Sequence, residues 1–214
     1  MKLLSKKMKY WTDLLWVMTE KEMKVRYKRT TLGFLWMFLQ PFFQMLILGF
    51  VFQFFVPVKV DNYFLFLFSG LLPWVFFSTS LSRATPAFIN ERALIHKAKF
   101  PRELIVLSIV LSNFIHFMVS LILLIVLLVG DKYFLEFYSL IEIFSYFLKI
   151  LWLIPVLVWL VVFTSGVCLL ASGINVKFRD MNFIIQAGLS LWFYGTPIIY
   201  TLNLLPEYIW PIFI

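Results

Sequence analysis

The chain has 214 residues, of which 62% are hydrophobic, 20% aromatic and only 14% charged, and it carries a formal net charge of +8. Soluble domains of this size have about 25% charged and about 45–50% apolar residues; so large an apolar excess cannot be hidden in one water-soluble core. An ordinary cytosolic enzyme, a disordered chain and a disulfide scaffold are excluded, the last because Cys168 is the only cysteine, and in a chain this apolar the positive charge fits membrane topology better than nucleic acid.

Residues 1–31 read as a cytoplasmic segment. Leu4, Met8, Trp11, Leu15 and Met18 recur at three- and four-residue steps, with Lys2, Lys6, Lys7 and Lys9 alongside, the pattern of an amphipathic helix lying among lipid headgroups. A polar stretch follows, holding Glu22, Lys24 and Arg26. Long uncharged runs then cover Leu32–Val58, Asn62–Ser82, Leu104–Gly130, Ile150–Val176 and Met181–Pro206, each 21 to 27 residues long. About 20 helical residues cross a bilayer core, so five spans are expected, at 32–58, 62–82, 104–130, 150–176 and 181–200. The predicted fold class is all-α and integral to the membrane.

Between the second and third spans, residues 83–103 form a second cytoplasmic piece, longer than a simple connector needs. Pro86 and Pro101 bracket room for a short helix, on which Asn90, Glu91, Arg92, His96 and Lys97 accompany Phe88, Ile89, Leu94 and Ile95. An apolar face with mixed charges suits docking to a soluble partner. His96 has no cysteine or histidine at ligand spacing, so it reads as a surface residue rather than a metal ligand. Pro197, Pro206 and Pro211 punctuate the C-terminal stretch, and 201–214 is expected to be an extracytoplasmic re-entrant segment.

Orientation follows from the basic residues. The segments before the first span, between the second and third and between the fourth and fifth hold 16 of the 19 Lys and Arg, while the opposite side holds only Lys59, Lys132 and Lys149. Basic residues accumulate on the cytoplasmic side, which places the N-terminus there.

No phosphate-cradling GxxxxGK[ST], zinc-binding HExxH or nucleophilic GxSxG occurs. No Asp, Glu, Lys or Arg falls inside any of the uncharged runs, where only His116 sits, near Asn113, whereas ion-coupled carriers commonly place an ionisable group at mid-membrane. An ion-driven carrier or channel remains the alternative class, and a lipid-modifying membrane enzyme a weaker one, since Glu91 with His96 is too sparse a set. Energy for uphill transport is expected from another subunit. Trp36, Gln40 and Gln44 fall on one helical face at four-residue spacing. Trp74 and Phe77 follow a Gly70–Pro73 break, and Tyr194 precedes Pro197. Aromatic faces flanked by amides suit a wet path for sugars.

Four segments carry a resemblance: KVRYKRTTLGFLWMFLQPFFQML (Lys24–Leu46), SGLLPWVFFSTSLSRAT (Ser69–Thr85), NVKFRDMNFI (Asn175–Ile184) and FYGTPIIYTLNLLPE (Phe193–Glu207). In that order they resemble the type-2 ABC exporter permeases, and within them the polysaccharide and polyol-phosphate exporters of O-antigen, capsule or teichoic acid. The resemblance implies six spans, an N-terminal interface helix, a coupling helix after the second span and re-entrant hairpins between the fifth and sixth. This chain has no sixth span, and truncation is the expected reason. The resemblance further implies a homodimer of permeases with two ATP-binding subunits that hold ATP and Mg, no cofactor on this chain, and a glycan on an undecaprenyl-pyrophosphate carrier. It places the chain in the bacterial cytoplasmic membrane. It puts Asn90, Glu91 and Arg92 in the coupling segment, and Trp36, Trp74, Phe77 and Tyr194 where pore-lining aromatics belong.

Overall fold

The computed structural model describes residues 2–28, 31–55, 62–130 and 140–200, and among these every regular element is a helix. In chain order they are α1 (Lys2–Tyr27), a 3₁₀ turn (Gly33–Leu35), α2 (Trp36–Phe55), α3 (Tyr63–Ala84), α4 (Ala87–Asn90), α5 (Arg92–Lys97), α6 (Glu103–Gly130), α7 (Leu140–Lys177) and α8 (Met181–Gly195). Among the described residues three stretches are long and apolar enough to cross a bilayer: Tyr63–Ala84, Glu103–Leu128 and Leu151–Lys177. Leu39–Phe52 in α2 is a shorter apolar helix. The expected re-entrant segment 201–214 lies outside the described residues.

Several expected boundaries move. The amphipathic helix continues past residue 18 to Tyr27, because the polar stretch has its own helical support: Glu20 and Lys24 pair at 2.5 Å across one turn, and Lys24 and Arg26 sit in the last turn, where a positive charge complements the helix dipole. The break expected at Gly70–Pro73 is absent. Pro73 lies inside an unbroken α3, since neighbouring helices and side chains can take over the backbone groups that a proline frees. Pro197 does end a helix. It supplies no N–H and biases Thr196 away from helical geometry, so α8 stops at Gly195, and the Ile198 N–H turns back to the Thr196 carbonyl at 2.7 Å. The helix of the expected fourth span, α7, begins at Leu140, ahead of the expected 150, because a charge such as Lys149 bounds the apolar slab but not the helix. The segment between Pro86 and Pro101 forms two short helices rather than one, with the chain turning at Glu91 (φ −93°, ψ 21°).

The chain divides into two compact units, each assembled from three stretches of sequence. The first comprises 1–34, 76–116 and 157–186. Its buried residues include Met18, Phe76, Leu81, Ala84, Ile105, Val106, Val110 and Cys168. On α7 the buried side is a stripe of small residues, Thr164, Cys168, Ala171, Ser172 and Asn175, the kind that lets helices approach closely in lipid. Elsewhere on α7 large apolar side chains face outward, with Trp159, Val162 and Leu170 each more than 60% exposed, as a lipid-facing surface allows.

The second unit comprises 35–75, 117–156 and 187–214. Leu67, Phe68, Leu71 and Ile199 are fully buried there. The turn after α8 is fastened to α3: the Tyr63 hydroxyl donates to the Ile199 carbonyl at 2.6 Å. Gly70 makes room for it, since a β-carbon there would stand 3.3 Å from the Ile198 side chain.

Candidate functional site

The site in the first unit is built from α1 outward. Burial along α1 follows Trp11, Leu14 and Leu15, Met18 and Thr19, Glu22 and Met23, then Arg26, a three- and four-residue step that keeps one side of a helix turned inward. The apolar part of this stripe seats the helix, and its continuation carries charge into the interior. Glu22 accepts a hydrogen bond from Nη2 of Arg83, at the end of α3, at 2.8 Å; the two side chains are 16% and 32% exposed. One turn on, Nη2 of Arg26 donates to Oδ1 of Asn113 on α6. Asn113 stands ten residues beyond the first residue of α6, about 15 Å along its axis. No charge lies within that span in the sequence, yet the fold brings a guanidinium to its interior. His116 is within electrostatic reach of both Arg26 and Arg83.

A third tie points the other way. Lys21 Nζ meets Glu91 Oε1 at 2.6 Å, joining α1 to the turn between α4 and α5. Beside this pair lies a cleft of about 370 Å³ lined by Tyr10, Leu14, Val17 and Met18 of α1 and by Leu94 and Phe100.

The sequence-predicted residues divide accordingly. Of Glu22, Lys24 and Arg26, the first and last turn inward, while Lys24 is 74% exposed and paired with Glu20 on its own helix. Of the coupling set, Glu91 is held by Lys21. Asn90 is exposed at the end of α4, and Arg92, His96 and Lys97 lie on α5, with Arg92 Nε 3.4 Å from His96 Nε2. Arg83, Asn113 and Lys21 were not among the predicted site residues. For Arg83 and Asn113 the signal was that charged residues at 22 and 26 continue the spacing of the buried stripe from Met18 and so need inward partners; Lys21 lies off that stripe.

In the second unit, Trp74 lies against Trp192 and Phe193, with ring centroids 6.2 and 5.6 Å apart. Phe193 in turn meets Tyr194 at 5.2 Å, so Trp74 and Tyr194 belong to one aromatic cluster. Trp192 and Tyr194 remain 52% and 68% exposed. Trp36 opens α2 and, like Gln40 one turn later, is exposed. Phe77 belongs to the first unit, buried and stacked on Phe163 at 6.0 Å.

Among the described residues every element is a helix, and three stretches of bilayer length and apolar composition define a multi-pass membrane protein. The family model for the ABC-2 type transporter matches residues 13–214, and the chain belongs to that family. It is 36% identical over 199 residues to the O-antigen export system permease protein RfbA of Klebsiella pneumoniae, covering 92% of this chain and 73% of that protein. RfbA of Myxococcus xanthus is 33% identical over 195 residues, covering 91% and 70%. The polysialic acid transport protein KpsM of Escherichia coli is 24% identical over 195 residues, covering 89% and 70%. The resemblance to polysaccharide exporter permeases thus holds along nearly the whole chain.

Proposed function

We propose that this chain is the permease subunit of a bacterial ABC exporter that carries a lipid-linked polysaccharide (O-antigen, capsule or a teichoic-acid-like polymer) outward across the cytoplasmic membrane. It works as a homodimer with two ATP-binding subunits, which hold the ATP and Mg, and its cargo is a glycan on undecaprenyl pyrophosphate. The similarity to the RfbA permeases supports the substrate class. The skewed distribution of Lys and Arg supports a cytoplasmic α1 and α4–α5. In this reading α2 and α8 also cross the membrane, and 201–214 returns into its outer face.

The observation that carries the reading is the set of ties made by α1. A subunit without a nucleotide-binding loop has to receive its driving force from outside. Lys21–Glu91 joins α1 to the exposed α4–α5 segment, while Glu22–Arg83 and Arg26–Asn113 join it to α3 and α6. Force applied by a partner ATPase to Asn90, Arg92, His96 and Lys97 then reaches the spans through the exposed Lys21–Glu91 pair and the part-buried ties at Glu22 and Arg26, and rigid packed elements move as units. Trp36, Gln40 and the Trp74–Tyr194 cluster hold successive sugars weakly by stacking, which lets a polymer slide.

The test is export in cells that express the permease with its ATP-binding subunit. Replacing Arg92 and Lys97 together by glutamate is expected to stop surface display of the polymer while the assembled complex still hydrolyses ATP. Display at the normal level would remove the docking role, and failure to co-purify any ATP-binding subunit with the unaltered chain would remove the exporter reading.

A further inference from the structure

In the second unit the contacts of α3 converge on one short stretch of chain. Tyr63, Gly70 and Trp74 follow one another at steps of seven and four residues, a spacing that keeps them on one side of the helix. The Tyr63 hydroxyl, on a residue only 4% exposed, donates to the Ile199 carbonyl at 2.6 Å. A β-carbon at Gly70 would stand 3.3 Å from the Ile198 side chain and 3.7 Å from its carbonyl oxygen. The Trp74 ring meets those of Trp192 and Phe193. One side of α3 thus grips residues 192–199 at three levels. Neighbouring hydrogen bonds are local instead. The Trp192 carbonyl accepts from the Thr196 N–H at 2.9 Å and from the Thr196 hydroxyl at 2.8 Å, and the Tyr194 carbonyl accepts from the Tyr200 hydroxyl at 3.1 Å. Those bonds shape the end of α8 and its turn, but they do not fix where the turn stands against α3. Tyr63, 136 residues away in sequence, does, and a buried acceptor that loses such a donor bears the cost of its own desolvation.

We propose that Tyr63 is a positioning residue: through the Ile199 carbonyl it holds the end of α8 against α3 and so sets the ring planes of Trp192 and Tyr194, the surface on which sugars stack. These two residues are 52% and 68% exposed, so their places are set from behind, by the backbone that carries them and by the rings of Trp74 and Phe193. Gly70 is the steric counterpart of Tyr63, leaving the space into which the turn is drawn. A stacking surface binds best when its rings are held before the ligand arrives. The use of the rings for sugars rests on the exporter reading; the clamp itself rests on the contacts at Ile198 and Ile199.

The test uses the full chain in dodecyl maltoside, labelled with fluorotryptophan, and cells that express the permease with its ATP-binding subunit. The fluorine NMR resonance of Trp192 is identified by its loss in Trp192→Phe. Tyr63→Phe keeps the ring and removes the donor. It is expected to shift or broaden the Trp192 resonance, to leave those of Trp11 and Trp16 on α1 in place, and to slow surface display of the polymer about fivefold, the loss of one buried hydrogen bond. Gly70→Ala pushes on the same turn with the hydroxyl intact and is expected to move the same resonance, the two changes together falling short of their sum. Met45→Ala, at a buried site on α2, is expected to lower the unfolding temperature at least as far as Tyr63→Phe while the Trp192 resonance stays in place, which separates lost positioning from lost stability. An unmoved Trp192 resonance in Tyr63→Phe, or an equal change in Met45→Ala, overturns the proposal. So does a moved resonance with export at the normal rate in Tyr63→Phe when Trp192→Ala slows export. If Trp192→Ala also exports at the normal rate, a resonance moved by Tyr63→Phe keeps the clamp and removes the sugar path from the exporter reading.

Discussion

Glu20 and Glu22 are separated by one residue and have different energetic weights. The Glu20–Lys24 pair is 50% and 74% exposed, and an ion pair in water contributes at most about 0.5 kcal/mol within a helix. Lys24→Gln is therefore expected to leave thermal unfolding in detergent almost unchanged. Glu22 and Arg83 are far less exposed, and removing one partner strands the charge of the other. Glu22→Gln is expected to cost about 1–3 kcal/mol, and the exchanged pair Glu22→Arg with Arg83→Glu to recover part of it; no recovery would mean that the surroundings, not the pair, set the cost. Gly49 marks a different kind of constraint. A β-carbon there would lie 2.5 Å from two ring carbons of Phe64, so Gly49→Ala has to displace a ring on α3 and is expected to destabilise by about 1–3 kcal/mol.

At the scale of elements, α7 shows how one helix serves two media. Its inward stripe of Thr164, Cys168, Ala171, Ser172 and Asn175 is small and nearly inaccessible, and its outward residues are large and apolar. Association in lipid draws little on the hydrophobic effect, so it relies on close packing of small residues. Ala171→Leu is accordingly expected to cost about 1–3 kcal/mol by overpacking, whereas Leu170→Ala, one position away and 69% exposed, is expected to leave unfolding of the detergent-solubilised chain unchanged. Equal effects would place the packing face elsewhere. The prolines show the same dependence on surroundings: Pro73 is carried inside α3, while Pro197 closes α8.

At the scale of the whole molecule, the lone cysteine is a probe of integrity. Cys168 is 0% exposed, so the folded chain in detergent is expected to resist maleimide until it is unfolded; prompt labelling would mean that the α7 stripe is open. With Cys168→Ser as background, Lys99→Cys and Asn62→Cys test the topology. A maleimide that cannot cross the membrane is expected to label Asn62→Cys in intact cells and Lys99→Cys only after permeabilisation. Labelling of both from one side would overturn the inside-positive orientation on which the docking of a cytoplasmic ATPase depends.

Much of this was legible in the sequence, because the bilayer imposes a simple code. Apolar run length reports the helices that cross, and long uncharged stretches anticipated α3, α6 and α7 within a few residues at most ends. Motif order anticipated the family. The pairing of Glu22 with Arg83, of Lys21 with Glu91 and of Arg26 with Asn113 was not legible. These partners stand 61, 70 and 87 residues apart, and a spacing that turns Glu22 and Arg26 inward does not say which distant groups they meet. The sequence by itself determined that the chain is helical, membrane-embedded and without a nucleotide-binding loop of the GxxxxGK[ST] type, since composition and local spacing dictate each of those. Only the tertiary structure decided that a guanidinium from outside a span rests against its interior, because that requires three distant helices to pack around α1 and share their polar groups.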